Sequence, residues 1–192
     1  FLKTPGMNTK NPYLLPLILI TTLFFLWGFA HNLNPILIPH LKKACELSDF
    51  QSALIDSAFF MAYFLVALQA GFAMKKWGYK NGILLGLCLF ALGAFLFIPA
   101  ANTRLFPFFL LALFIIASGL TFLETAANPY VTVLGDSNTA TQRLNLSQSF
   151  NGLAATLAPA AGGLFILSGT DLSTEATQNM TPEALNELLN ME

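Results

Sequence analysis

The sequence predicts an all-α membrane protein that crosses the bilayer with five helices. Hydrophobic residues make up 55% of the chain and charged residues only 10%, whereas soluble domains carry about a quarter charged residues. The apolar stretches exceed the roughly 20 residues needed to cross a hydrocarbon core. Within lipid every backbone polar group has to be satisfied inside the segment, and no alternating strand pattern runs through these stretches. Helices are therefore the expected form.

Five stretches of the chain meet this length, and each predicts one helix. In order they cover about 12–38, 51–74, 81–101, 105–134 and 144–169. The first, third and fifth contain no charged residue, whereas Asp56 interrupts the second and Glu124 the fourth. Small residues that let helices pack closely in lipid occur in the third, as Gly82 and Gly86, and crowd the fifth. The second and fourth helices therefore carry the charges that need an explanation.

The distribution of lysine and arginine predicts that the amino terminus lies in the cytoplasm. With that orientation the inner segments hold more basic residues than the outer segments, as the positive-inside rule requires. The inner residues are Lys3, Lys10, Lys75, Lys76, Lys80 and Arg143, and the outer residues are Lys42, Lys43 and Arg104. Residues 1–11 then form a cytoplasmic segment, and the polar residues 170–192 form an extracytoplasmic loop. Because this loop follows an odd number of helices, we expect an incomplete chain, the first part of a longer protein.

Composition and motifs also argue against several classes of function. The net charge is −1 and no basic patch alternates with aromatic residues, so no nucleic-acid partner is expected. The two cysteines, Cys45 and Cys88, lack the spacing of a metal site. No Ser/His pair, metal-binding cluster or phosphate-binding loop accompanies the intramembrane carboxylate. The sequence therefore predicts neither an enzyme nor a cofactor.

The carboxylate of Glu124 is the most costly feature of the predicted bilayer segments, because an acidic side chain at a helix centre costs about 2.5 to 3.5 kcal/mol. Polar residues share its face of the fourth helix, and a second polar face follows the fifth. These residues are Thr121, Glu124, Thr125 and Asn128, and then Asn145, Gln148, Asn151 and Gly152. At about 1.5 Å rise per residue, Glu124 and Asn151 lie roughly 15 and 12 Å from the inner ends of their helices, and Asn128 and Gln148 roughly 9 and 7 Å. Antiparallel packing is therefore expected to bring the two faces together around one cavity.

The residue types on these faces suit a sugar. Amides pair with hydroxyl groups through both a donor and an acceptor, and an indole ring packs against the C–H face of a sugar. The first helix supplies Trp27, His31, Asn32 and Asn34 toward the outer side. We therefore predict a sugar site formed by Trp27, Asn32, Glu124, Asn128, Gln148 and Asn151.

Two carboxylates are candidates for coupling transport to a proton. A carboxyl group that is neutral when the transporter carries its substrate and charged when the transporter is empty links proton movement to substrate movement. Glu124 is the first candidate for this role. Asp56, the other acid within a predicted helix, lies about 9 Å from the outer end, where water reaches it. Two alternatives compete with transport. One is a structural or sensory membrane module in which the polar faces pack helices, which is the favoured role for Asn145, and the other is a membrane enzyme that uses Glu124 as an acid or base.

Five stretches of the sequence, taken in order, resemble a known family of transporters. They are FFLWGFAHNLNPILIPHL, FQSALIDSAFF, GFAMKKWGYKNGI, FLETAANPYVTVLG and RLNLSQSFNGL. Their order and spacing over residues 12–169 are similar to the amino-terminal half of the fucose/proton symporter family of the major facilitator superfamily, including its bacterial glucose/galactose branch. The resemblance implies a partial major facilitator fold, in which five of the six helices of the amino-terminal half are present. It also implies a multi-pass protein of the bacterial inner membrane that imports glucose, galactose or fucose with a coupling proton or sodium ion by alternating access.

The same resemblance implies roles for individual residues. By motif position, Glu124 corresponds to the family's buried proton-linked glutamate, and Trp27, Gln148 and Asn151 fall on cavity-lining positions. One position departs, because the fucose-specific members carry an aspartate where this sequence has Pro35. This departure favours the glucose/galactose branch and motivates the hypothesis that Asp56 replaces the absent acid. The expected partners are thus a small-molecule sugar, the coupling ion, the lipid bilayer and the missing carboxyl-terminal half of the same chain.

Overall fold

Four helices and one short turn make up the part of the chain that the structure, a computed structural model, describes, namely residues 12–44, 48–103 and 105–165. The helices are α1 (Leu14–Ala44), α2 (Asp49–Thr103), α3 (Phe106–Val133) and α4 (Ala140–Phe165), and a 3₁₀ turn, Ser137–Thr139, precedes α4. The predicted amino-terminal segment, the polar carboxyl-terminal loop and the end of the fifth predicted helix lie outside these residues. The described part is helical almost throughout, as the sequence predicts.

Helix α2 contains two of the predicted helices joined at a sharp turn. Gly78 has φ 78° and ψ 166°, which is not a helical conformation and is one that favours glycine. Ile55 and Ala100 belong to the same buried cluster, although a straight helix would separate them by about 68 Å. The chain therefore folds back at Gly78, so that the halves 49–77 and 79–103 run antiparallel.

Three of the described helices have spans long and apolar enough to cross a membrane. They are Leu14–Pro39 in α1, Asp49–Ala100 in α2 and Phe106–Val133 in α3. Because the span in α2 doubles back, it provides length for two crossings. Helix α4 carries too many polar residues to join this set within its described length, and the fifth bilayer crossing stays a prediction.

The second half of α2 and α3 approach each other closely through glycines. A Cβ atom added at Gly119 of α3 would lie 2.6 Å from the backbone nitrogen of Phe90 and 2.7 Å from the carbonyl oxygen of Gly86. No side chain fits at that separation, so the two backbones are in direct contact. Such close packing replaces the hydrophobic effect as the force that holds helices together in lipid.

Helix α1 packs against α4 on the other side of the bundle. Thr21 and Ser147 share a buried hydrogen bond between their hydroxyl oxygens, which are 3.2 Å apart. A Cβ atom at Gly162 of α4 would lie 2.8 Å from the Cδ1 atom of Ile36. Between this pair of helices and the α2–α3 pair lies a buried core that includes Phe24, Phe59 and Leu120.

Arg143 ties the end of α3 to the start of α4. Its Nε atom donates to the carbonyl oxygen of Val131 at 3.2 Å, and its Nη2 atom donates to that of Thr132 at 2.9 Å. A third bond runs from Nη1 to the carbonyl oxygen of Asp136 at 2.8 Å. The last carbonyls of a helix have no partners within the helix, so this cationic side chain both satisfies them and complements the helix dipole. It thereby sets the antiparallel register of α3 and α4.

We expect the substitution Gly119→Ala to destabilise the bundle, because the added methyl group meets backbone atoms that cannot rotate away. Overpacking of this kind costs about 1 to 3 kcal/mol, which should appear as a lower midpoint of thermal unfolding in the full-length protein. Gly71→Ala is the matched control, since nothing lies within 4 Å of a Cβ atom at that position. Equal midpoints for the two variants would contradict the close approach.

Candidate functional site

Glu124 lies at the meeting point of two cavities. It is half-buried on α3 and lines both a cavity of about 320 Å³ and a smaller one of about 130 Å³. The larger cavity lies between α3 and the first half of α2, and the smaller one lies between α1, α3 and α4. The side chain of Glu124 therefore borders open space in two directions.

The larger cavity is lined by α3 and α2. Thr121, Thr125 and Asn128 share the lining with Glu124, as expected for residues three and four positions apart on one helix face. Tyr63 and Ala67 of α2 form the opposite wall. The lining thus combines a phenol, hydroxyls and an amide with the carboxylate.

The smaller cavity brings the first and last helices to Glu124. Its walls include Trp27, Gly28, His31 and Asn32 of α1 and Asn151 of α4. Gly28 lies close to α4, since a Cβ atom there would lie 2.5 Å from the Nδ2 atom and 3.1 Å from the backbone oxygen of Asn151.

Both asparagines of the smaller cavity are oriented by backbone oxygens of α1. The Nδ2 atom of Asn32 donates to the carbonyl oxygen of Gly28 at 2.7 Å, and that of Asn151 donates to the carbonyl oxygen of Phe24 at 3.1 Å. Trp27 as a whole residue is 6% exposed, and its ring packs 4.8 Å from the Phe24 ring, measured between centroids. These contacts leave the asparagine Oδ1 atoms as acceptors for a ligand.

The amide pair expected between α3 and α4 is present. The Nε2 atom of Gln148 donates to the Oδ1 atom of Asn128 at 2.8 Å, and the Nδ2 atom of Asn128 donates in turn to the carbonyl oxygen of Glu124 at 3.0 Å. This chain of bonds lies one turn from the Glu124 side chain. It links the register of α4 to the backbone that carries the carboxylate.

The carboxylate of Glu124 itself takes part in none of the hydrogen bonds formed among residues 12–44, 48–103 and 105–165. The one salt bridge within these ranges joins Lys42 to Asp49, away from both cavities. In the same part of the chain no group of His, Cys, Asp and Glu side chains is placed to hold a metal ion. A half-buried carboxylate with no protein partner is available to a ligand or a proton.

The structure gathers most of the residues that the sequence singles out. Trp27, Asn32, Glu124 and Asn151 line the smaller cavity. Asn128 lines the larger cavity, and Gln148 is its exposed hydrogen-bond partner. Asp56 is not gathered with them, because its side chain is exposed and lines neither cavity.

Three lining residues were missed or given too little weight at the level of sequence. Tyr63 was overlooked, although a tyrosine in the middle of an apolar segment is unusual, since tyrosines in membrane helices concentrate at the two interfaces. His31 was noted among the polar residues of the first helix but was not assigned to the site. Gly28 carries no chemical signal, because only the approach of α4 explains it.

Comparison with known proteins finds a matching protein family and relatives of similar sequence. Residues 17–173 match the family model described as Major Facilitator Superfamily. The chain is 50% identical over 184 residues to the glucose/galactose transporter of Brucella abortus biovar 1 (strain 9-941), covering 96% of this chain and 44% of that protein. It is 49% identical over 178 residues to the L-fucose-proton symporter of Escherichia coli (strain K12), covering 92% and 41%.

The fold also matches a solved structure. The crystal structure of a variant of the E. coli fucose:proton symporter superposes with a TM-score of 0.76 at 47% identity, covering 92% of this chain and 42% of that one. The chain therefore spans less than half the length of the proteins it matches.

We expect Glu124→Gln to leave the thermal unfolding midpoint of the full-length protein unchanged or higher, because glutamine keeps the shape and removes a costly charge that has no protein partner. Ser147→Ala is the contrasting variant, since Ser147 is fully buried and bonded to Thr21. Loss of that bond should cost about 1 kcal/mol. A large fall in the midpoint for Glu124→Gln would instead support a polar face that serves to pack helices.

Proposed function

Because this chain belongs to the major facilitator superfamily and is 50% and 49% identical to a glucose/galactose transporter and an L-fucose-proton symporter, we propose that it serves in a secondary transporter that imports a hexose together with a proton. The proposed substrates are sugars of the glucose, galactose or fucose type, which the names of the two relatives suggest. The proposed location is the bacterial inner membrane, crossed several times, with the amino terminus in the cytoplasm. Exposed Lys75, Lys76 and Lys80 beside the turn at Gly78 support that orientation under the positive-inside rule.

The observation that carries the proposal is the unpartnered carboxylate of Glu124 at the junction of two cavities. A structural carboxylate inside an apolar bundle would be paired, because an isolated charge in a medium of low polarity is costly. Glu124 instead borders space on both sides. A proton that binds to Glu124 removes the cost of the unpaired charge. Because the same side chain borders the cavity that would hold the substrate, proton binding and substrate binding affect each other.

The smaller cavity supplies the groups that a sugar needs. Trp27 offers an apolar ring face, while the Oδ1 atoms of Asn32 and Asn151 and the carboxylate of Glu124 accept bonds from hydroxyl groups. At about 130 Å³ this cavity holds part of a hexose at most. Asn128 and Gln148 extend the polar lining toward the larger cavity and are proposed to contact the sugar as it moves.

Transport by alternating access requires two bodies that rock about a shared site. The described helices supply one wall of such a site. Because the chain covers 44% of one relative and 41% of the other, we propose that the whole protein contains a carboxyl-terminal half that supplies the other wall.

We expect Glu124→Gln in the full-length protein to abolish proton-driven accumulation of hexose while counterflow of labelled hexose persists. Glutamine mimics the protonated acid and still offers hydrogen bonds, but it cannot release a proton. Uptake into liposomes with and without a pH gradient checks this. Accumulation that survives in the variant would contradict the role of Glu124.

Two further arms of the same assay address the other coupling candidates. Asp56→Asn tests the second carboxylate, since loss of accumulation in that variant would assign coupling to Asp56 as well. Replacing the pH gradient by a sodium gradient tests the ion. Accumulation driven by sodium alone would overturn the choice of a proton.

We expect Asn151→Ala to weaken hexose binding by about 10-fold. The substitution removes one acceptor from the cavity and also removes the hydrogen bond that joins α4 to the backbone of α1. Asn145→Ala is the matched control, since Asn145 is an exposed asparagine on the same helix and lines neither cavity. Calorimetric titration of the full-length protein measures both. Equal affinities for the two variants would remove Asn151 from the site.

A further inference from the structure

His31 of α1 and Tyr63 of α2 form a pair that crosses the wall between the two cavities. The Oη atom of Tyr63 lies 3.3 Å from the Nδ1 atom of His31. The two rings meet edge to face, with centroids 5.9 Å apart and planes at 83°. Tyr63 lines the larger cavity and His31 the smaller one, and Glu124 lines both. Glu124 connects the two cavities on α3, and the His31–Tyr63 pair connects them on the side formed by α1 and α2.

The imidazole of His31 is held in one orientation. Besides Tyr63, it packs edge to face on the ring of Phe59 at 5.4 Å between centroids. Phe59 is itself 2% exposed and packs against Tyr63 at 5.6 Å. Since Nδ1 is engaged by Tyr63, the second nitrogen, Nε2, is left without a hydrogen-bond partner among the described residues.

The contact with Tyr63 fits two placements of the proton on the neutral ring, and in one of them the Tyr63 hydroxyl donates to Nδ1. The Tyr63 hydroxyl makes no other hydrogen bond in the described part of the chain, so donation to Nδ1 satisfies it. An imidazole that accepts at Nδ1 carries its hydrogen on Nε2. With Tyr63 as the donor, His31 presents an N–H group on the side away from Tyr63, and this is the placement that the proposal below uses.

The smaller cavity offers both acceptors and donors to a hydroxyl group. The amide nitrogens of Asn32 and Asn151 each donate one N–H to a backbone oxygen and keep a second, and the carboxylate of Glu124 is an acceptor when it is charged. A sugar hydroxyl is both a donor and an acceptor. A hydroxyl that donates to Glu124 accepts at its own oxygen from an N–H group on the same wall, and the Nε2 atom of His31 is one such group.

We propose that His31 contacts the transported hexose directly, donating from Nε2 to a hydroxyl oxygen, and that Tyr63 is a positioning residue that acts through His31. This inference rests on the proposed function and adds to it a residue that selects for a hydroxyl group at one place on the sugar. Tyr63 has no contact with the sugar in this arrangement. Its effect on binding exists only while His31 is present.

A double-mutant cycle on hexose affinity tests this arrangement in the full-length protein. His31→Ala should weaken binding about 2- to 10-fold, which is the range expected for one net hydrogen bond. Tyr63→Phe keeps the ring, removes the hydroxyl and should weaken binding by less. In the His31→Ala background Tyr63→Phe should have no further effect, because the group through which it acts is gone.

Two more variants separate this role from a structural one. His31→Gln restores an N–H donor and should recover part of the affinity that His31→Ala loses. Tyr130→Phe is the matched control for Tyr63→Phe, since Tyr130 is a partly buried tyrosine of α3 that lines neither cavity, and it should leave the affinity unchanged. Monodeoxy hexoses, each lacking one hydroxyl group, provide a further check. The analogue that lacks the hydroxyl bound by His31 should have a lower affinity than hexose for the wild-type protein. For the His31→Ala variant the two affinities should be equal.

The outcomes distinguish the failure of this inference from the failure of the proposed function. Unchanged affinity in His31→Ala, together with weakened binding in Asn151→Ala, would overturn the role of His31 and leave hexose transport standing. An equal loss from Tyr63→Phe in both backgrounds would overturn the positioning role. A wild-type protein that binds no hexose would overturn both proposals.

Discussion

The cost of an unpaired carboxylate in an apolar helix is the constraint on which the rest of this structure depends. Glu124 has no ion pair and no hydrogen bond to its side chain among the described residues. It is tolerated because two cavities adjoin it, and because polar groups from α1, α2 and α4 turn toward those cavities. The same features that make the charge tolerable make it reactive toward a proton or a hydroxyl group. The unpaired charge of Glu124 is thus both a cost to the stability of the bundle and the basis of the proposed function.

The scaffold around the cavities consists of rigid contacts that leave little freedom to its polar residues. Arg143 satisfies the last carbonyls of α3 and holds α4 in register, and the Gln148–Asn128 bond continues that register to the turn below Glu124. On the far side, α2 and α3 touch backbone to backbone at Gly119. A bundle held by backbone contacts and by hydrogen bonds at the helix ends is expected to be rigid.

Local patterns allowed much of this arrangement to be predicted. The helical segments follow from charge-free length, and the meeting of Asn128 with Gln148 follows from equal depth on two antiparallel helices. Tyr63 and Gly28 could not be predicted in the same way, because their roles depend on contacts between helices distant in sequence. Asp56 shows the opposite limit. An acid inside an apolar segment attracts attention in the sequence, but the rotation of α2 leaves its side chain exposed and outside both cavities.

The sequence by itself determined that the chain is helical, that it belongs in a membrane, and that one face of the fourth predicted helix is polar around Glu124. These properties depend on composition and on the 3.6-residue period, which are local. The tertiary structure alone decided that the carboxylate borders two cavities and that Tyr63 holds His31 on the other side of them. It did so because the rotation of each helix about its own axis is set by packing against its neighbours, and no single segment contains that information.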